Sequence, residues 1–283
     1  LSLLITYAIA QVLISSNRSS VTSDGMSQSQ ETGRFVMSFL AAQIRQAGLD
    51  SITNESRTTG AFISCSDFPA LAARDGVCIA EGPGGETEIT IDNAGTHGDR
   101  LAIAWIPPAG RLADCTGSTG HRPMGAPIAT PLTPYAVDDI ILNTFWVEPD
   151  ADSGMNSLFC QGYLFDGADV IGTSTQQAIA NGVEAMQILY GEAIAPLPDT
   201  RERNVARYVP APVDPAAPAV LREVQDWSRV YAVKVSILTR SLTDITLDSS
   251  LRSYILANAA PYDMTDAVSR QVFTTTFALN NYQ

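Results

Sequence analysis

Few residues in this sequence combine the type and the spacing needed for chemistry. Its two histidines, His97 and His121, both stand in Gly/Thr-rich stretches. Neither has a cysteine or carboxylate at metal-ligand spacing, so both read as surface loop residues. GPGGETE (82–88) is glycine-rich but lacks the lysine that reaches a nucleotide's phosphates, and it reads as a turn. No G-x-S-x-G nucleophile elbow occurs. Asp138 and Asp139 are adjacent, and neighbours on a strand point to opposite faces, which weighs against paired acid/base work. The acidic run EPDADSGMN gathers Glu148, Asp150, Asp152 and Asn156. Alternating oxygen ligands before a glycine resemble a calcium loop, but the full EF-hand spacing and its terminal glutamate are missing. A solvated acidic turn is the preferred reading, with calcium at Asp150, Asp152 and Asn156 as the lesser alternative. No catalytic residue and no cofactor are expected.

The cysteines are Cys65, Cys78, Cys115 and Cys160, with no Cys-x-x-Cys pair to suggest zinc or thioredoxin-like chemistry. An even count in a chain with signs of export predicts two disulfides. Any of three pairings is open; sequential order, Cys65–Cys78 and Cys115–Cys160, is favoured. The first would close a short loop and contribute roughly 3 kcal/mol.

Composition bounds the rest. The chain has 283 residues, 45% apolar and 17% charged, enough to bury a core, and a formal net charge of −13. Lys234 is the only lysine and the arginines are scattered singly. That excludes the basic stripe on which nucleic-acid binding rests.

The elements that must hold these residues begin with an uncharged run, Leu1 to Ser15. It is shorter than the roughly 20 residues a membrane span needs. The expectation is that it continues an apolar segment lying upstream, which would complete a transmembrane helix. An apolar helix half needs lipid or other helices around it. Leu1, Leu4, Ile5, Ala8, Ile9, Val12 and Leu13 are therefore candidates for helix–helix assembly, with Ser2, Ala8 and Ala10 allowing close approach. After a polar stretch, Phe35, Val36, Phe39, Leu40 and Ile44 recur at helical spacing and are expected to pack on the head. Gly48 reads as a stop. Residues 1–49 thus predict one long helical element, with Gly25 and Gly33 weakening a soft middle.

From about residue 50 to 283 the pattern is that of a β-rich head. Strands are expected at 86–92, 101–106, 139–147, 157–165, 182–191, 229–241 and 272–280, from alternation or from short apolar runs. The stretches 107–110 and 116–134 read as turns and loops. The segment 196–221 carries six prolines and reads as a long exposed loop.

Several of these segments resemble one family. Glu31-Thr32-Gly33-Arg34-Phe35 and Gln43-Ile44-Arg45-Gln46-Ala47-Gly48 are similar to the ENGRF-like and D/Q-I-R-x-A-G motifs in the N-terminal helix of the PilW family of type IV minor pilins. GVEAMQILYG (182–191), WSRVYAVKVSILTRS (227–241) and RQVFTTTFALNN (270–281) resemble its later strands, in family order. Asp114-Cys115-Thr116-Gly117 and Leu158-Phe159-Cys160 look like its cysteine-bearing segments. The family's leader peptide, its cleavage site and the glutamate near the mature N-terminus are not in the sequence.

The resemblance implies an α+β pilin-like fold, a long helix on an antiparallel β-rich head. It implies a subunit held in the inner membrane with a periplasmic head before assembly, and in the extracellular pilus afterwards. Its partners would be other minor pilins, the major pilin and a large tip adhesin. Its role would be to join and prime a type IV pilus, supporting adhesion or twitching, and not to catalyse a reaction. A helix-tethered exported binding module, an exported hydrolase and a type II secretion pseudopilin are the alternatives.

Overall fold

The computed structural model describes residues 2–49, 79–80, 87–88, 97–108, 112–137, 139–165, 170–193, 204–211, 227–243 and 250–279. Helix α1 (Ser2–Gln46) leads. The strands that follow are β1 (Ile79–Ala80), β2 (Thr87–Glu88), β3 (Leu101–Trp105), β4 (Gly120–Pro123), β5 (Thr133–Pro134), β6 (Ile140–Pro149), β7 (Asn156–Phe165), β8 (Val170–Thr173), β9 (Gln177–Asn181), β10 (Val183–Glu192), β11 (Arg207–Val209), β12 (Val230–Arg240), β13 (Arg252–Tyr254), β14 (Tyr262–Met264) and β15 (Arg270–Ala278). One antiparallel sheet runs β11-β10-β12-β15. A seven-stranded antiparallel sheet runs β3-β6-β7-β8-β4-β5, with β9 also on β7. The segment leading into β3 reaches across to β10 of the smaller sheet. There the Asp99 backbone N–H donates to the Met186 carbonyl at 2.7 Å, and the Ile188 N–H donates to Asp99 Oδ2 at 2.6 Å.

One core joins the layers. Val36, Leu40 and Ile44 of α1 meet Met186, Ile188 and Tyr190 of β10, Val233, Val235 and Ile237 of β12, and Phe145, Leu158 and Cys160 of the larger sheet. The period-2 patterns of β10 and β12 explain this, because alternate residues face the helix. Their other face is covered in part by β13–β14, where Leu256, Tyr254 and Tyr262 pack on Ala185 and Leu238.

The helix is continuous through the polar middle. Its buried stripe is Gly25, Ser29, Gly33, Val36, Met37, Leu40, Ile44 and Ala47, a spacing close to 3.6. Gly33 is there for close approach: a Cβ would lie 2.2 Å from Cε2 of Phe273 on β15. Ser29 Oγ and Thr239 Oγ1 on β12 share a hydrogen bond at 2.9 Å. Gly33, which looks like a weakness in an isolated helix, is thus where α1 meets the sheet. Gly48, with φ of 74°, ends the helix as the sequence predicts, and its N–H donates to the Ala104 carbonyl at 2.8 Å.

Three expectations need correction. The stretch 116–134 is not turn and loop throughout, because Gly120–Pro123 pairs with Thr133–Pro134 and with β8, which puts His121 half-buried on a strand and not in a surface loop. Phe35 is not buried against the head; it is 52% exposed. At about 100° per residue it lies roughly 145° from the centre of the buried stripe, and Gly33 occupies the place facing the sheet. The segment 196–221 is not loop throughout, because Arg207–Val209 pairs with Tyr190–Glu192. The run between Pro198 and Pro210 has no proline, so its N–H groups are free to join a ladder. Among the described residues, no helix is long and apolar enough to cross a membrane.

Candidate functional site

The feature that sets this chain apart is the first half of α1. Residues 5–21 are exposed wherever their side chains are described, over roughly 25 Å of helix. Ile5, Tyr7, Ile9, Val12, Leu13 and Ile14 are all large, apolar and exposed. Of the residues expected to mediate assembly, Ile5, Ile9, Val12 and Leu13 therefore stand free of the chain's own head; the side chains of Leu1, Leu4 and Ala8 lie outside the described residues. A contiguous apolar surface on this scale marks contact with another apolar phase or another protein. The second half does the opposite work. Val36, Leu40 and Ile44 are fully buried, and Phe39 packs edge-on to Phe145, with ring centroids 6.0 Å apart.

The joint between helix and head is reinforced by polar contacts that periodicity does not reveal. Gln43 lies off the apolar stripe, yet its Oε1 accepts from Asn143 Nδ2 at 3.1 Å. Asn143 is fully buried on β6, and its Oδ1 accepts from the Cys115 backbone N–H at 3.1 Å. The structure joins Cys115 to Cys160 with Cα atoms 6.3 Å apart, which ties the 112–119 segment to β7. Beside the bond, the buried Asp114 carboxylate accepts from the Thr116 N–H and hydroxyl, the Ser118 N–H and the Tyr135 hydroxyl. Burial, and then the charge of Asp114, push the Tyr135 phenol far above its ordinary range. The Cys65–Cys78 pairing lies outside the described residues.

A buried ion cluster brings together three charges from separate strands. Val183 pairs with Thr239 and Ala185 with Leu238, so Glu184 is the extra residue of a β-bulge. A bulge re-aims a side chain. Here it leaves Glu184 gripped by both Nε and Nη2 of Arg270, with Arg240 Nη1 3.6 Å away. Arg270 also donates to Asp266, at 2.5 and 2.7 Å. That hydrogen bond holds the Asp266 carboxyl down to about 2. Because the folded-state value lies below the ordinary 3.8, the interaction is fully present above about pH 4 and lost as pH falls toward about 2. Unfolding midpoints in detergent between pH 5 and pH 2 should therefore drop less steeply for Asp266→Asn than for the parent. Parallel curves would contradict this.

The other candidate residues do not converge. Asp150 closes its own turn, accepting from the N–H groups of Asp152 and Ser153, while Asn156 Nδ2 lies 3.2 Å from His97 Nδ1. Of the residues proposed for calcium, Asp150 is thus engaged within its turn and Asn156 with His97, and among the described residues no cluster of three or more His, Cys, Asp or Glu side chains could hold a metal. Glu148 pairs with Gln176 at 2.5 Å. His97 Nδ1 lies 3.1 Å from the Glu184 carbonyl. His121 packs against Tyr135, with ring centroids 5.6 Å apart. Asp139 accepts from the Ala136 N–H, and Asp138 lies outside the described residues.

A long helix, half of it sunk into an antiparallel β head and half projecting with apolar side chains outward, defines a pilin-like architecture. The family model of the type IV pilus-assembly protein W matches residues 144–281. The likeness to the PilW family read from the motifs is borne out over that stretch, which includes Glu184, Arg240 and Arg270. Among solved structures, a type IV-like pilin from Thermus thermophilus (TTHA1219) is similar at 13% identity and a TM-score of 0.35, over 68% of this chain and 83% of that one. No curated protein sequence matches the chain.

Proposed function

We propose that this chain is a minor pilin that joins a type IV pilus through the projecting half of α1 and helps prime its assembly. The observation that carries this reading is the exposed apolar surface of Ile5, Ile9, Val12 and Leu13 on a helix whose other half is locked into the head. In an assembled filament, helices of neighbouring subunits would cover that surface; before assembly, lipid would. The family match over residues 144–281 supports a pilus-associated place in the cell envelope. The rigid joint at Gln43, Asn143 and the Cys115–Cys160 bond suits a part that transmits position from helix to head. The role is one of structure and contact rather than catalysis.

The test is genetic. Deleting the gene should leave cells with few or no surface pili by electron microscopy, and the wild-type chain should restore them. The double variant Ile9→Arg/Leu13→Arg should fail to restore them, since each arginine costs about 3 kcal/mol in an apolar surround. Both positions lie far from the head's core, so expression and disulfide content should be unchanged. Normal pilus number in the deletion strain would sink the reading.

A further inference from the structure

The smaller sheet ends on β15, and this edge is built unlike the others. Among the described residues, β5 and β11 are two and three residues long, β9 is bulged against β7, and β3 is covered where the Gly48 N–H donates to the Ala104 carbonyl at 2.8 Å. Short, bulged and covered edges are the usual devices against further pairing. β15 has nine residues in unbroken register with β12, and from Gln271 to Ala278 it carries no charge, proline or glycine.

The outward half of its ladder is open. The Leu279 N–H donates to the Tyr231 carbonyl at 2.9 Å, toward β12. Pairing is regular, so Phe277, Thr275, Phe273 and Gln271 turn the same way, while Val272, Thr274, Thr276 and Ala278 point their N–H and C=O groups off the sheet. All four are exposed. Helix α1 adds a flank beside this edge. Its Phe35 side looks to β9, and Phe39 and Gln43 look to β6, so its other side overhangs β15. Arg34 stands there, roughly 115° from the centre of the buried stripe. It is exposed and makes no hydrogen bond or ion pair with any described residue.

We propose that β15 takes an added strand from a different exported protein, an extended segment uncharged along the edge, with one carboxylate set against Arg34. Main-chain bonds to Val272, Thr274, Thr276 and Ala278 supply the affinity, and the carboxylate fixes the register. Direction and register exclude a second copy of this chain. Ser29 meets Thr239, which lies opposite Gln271, and Gly33 meets Phe273, so α1 and β15 run side by side in the same sense. Antiparallel pairing of two β15 strands about a two-fold axis would point the two N-terminal halves opposite ways. Subunits that share a membrane or a filament cannot be so arranged, and in this step the inference rests on the reading of the chain as a pilus subunit. Parallel two-fold pairing sets each outward residue opposite its own copy, whereas a parallel ladder bonds it to the neighbours of the residue opposite.

The test places a photo-crosslinking phenylalanine analogue in the full chain, in pilus-forming cells, at position 272 on the edge or at 128, an exposed isoleucine between β4 and β5. Position 272 should yield a crosslinked peptide that mass spectrometry assigns to a different protein, with an Asp or Glu in it; position 128 should not yield that peptide. Thr276→Pro removes one outward N–H and leaves the β12 ladder whole, so the unfolding midpoint should hold while the yield falls roughly fivefold. Arg34→Glu should lower the yield roughly threefold, and changing the captured carboxylate to lysine should restore it. If the proline variant unfolds, Arg34→Glu decides. Capture of a second copy's β15, a pilin helix or lipid at 272, or a yield that a folded variant does not move, overturns the inference. Silence at 272 in cells whose pili depend on this chain overturns it too and leaves the pilus reading standing. Normal pili in the deletion strain overturn both.

Discussion

Replacing Arg270 with alanine should lower the stability of the head by roughly 3–5 kcal/mol, the cost of stripping one partner from a buried ion pair. In a chain of this size that is on the order of a 10 °C fall in the unfolding midpoint. Glu184 and Arg270 are both almost fully buried, and the guanidinium spans two carboxylates. Without it, Glu184 keeps, among the described residues, only the Arg240 guanidinium, at 3.6 Å. The paired replacement Glu184→Leu/Arg270→Met removes both buried charges and should cost much less than Arg270→Ala alone, because no charge is left uncompensated. Thermal unfolding in detergent followed by circular dichroism measures both. Equal losses for the single and the double variant would show that side-chain volume, and not charge, holds the site.

Loss of the Cys115–Cys160 bond should have an effect of similar size. The two cysteines are 45 residues apart, and a closed loop of that length restrains the unfolded chain by about 4 kcal/mol at 25 °C. Cys115→Ser/Cys160→Ser should therefore unfold at a midpoint lower by on the order of 10 °C. The damage should spread to the helix joint, because the Cys115 N–H is what Asn143 holds while Asn143 also reaches Gln43. Hydrogen exchange should rise at Asn143 and along the 112–119 segment before it rises in β10 or β12. A midpoint unchanged from the parent would mean that buried packing alone sets the position of Cys115.

How far each feature could be read from the chain depends on its range. The strands at 101–106, 139–147, 157–165, 182–191, 229–241 and 272–280 were legible because alternation and short apolar runs are local signals. Short strands such as Gln177–Asn181 and Arg207–Val209 were not, because a few residues carry too little periodicity and take their conformation from the neighbour they pair with. Phe35 and Phe39 looked alike as members of one apolar stripe. Only the docking angle of the helix, set by Gly33 against Phe273, separates an exposed ring from a half-buried one. Gln43 lies off the apolar stripe, and only the placement of β6 sets Asn143 opposite it.

Local sequence alone set the division of labour: an uncharged N-terminal helical stretch, a second amphipathic stretch ended by Gly48, and a β-rich head. These follow from composition and short-range periodicity. The tertiary structure alone decided which charges meet. Glu184, Arg240 and Arg270 lie far apart in the chain, and a bulge in β10 brings them into one buried cluster. It also decided that Ser29 and Gly33 serve as the contact by which α1 reaches the sheet, and that Phe35 is left facing outward. The physical reason is the same in each case: burial and pairing between distant segments depend on register and docking angle, and these are settled only when the helix and the two sheets close on a common core.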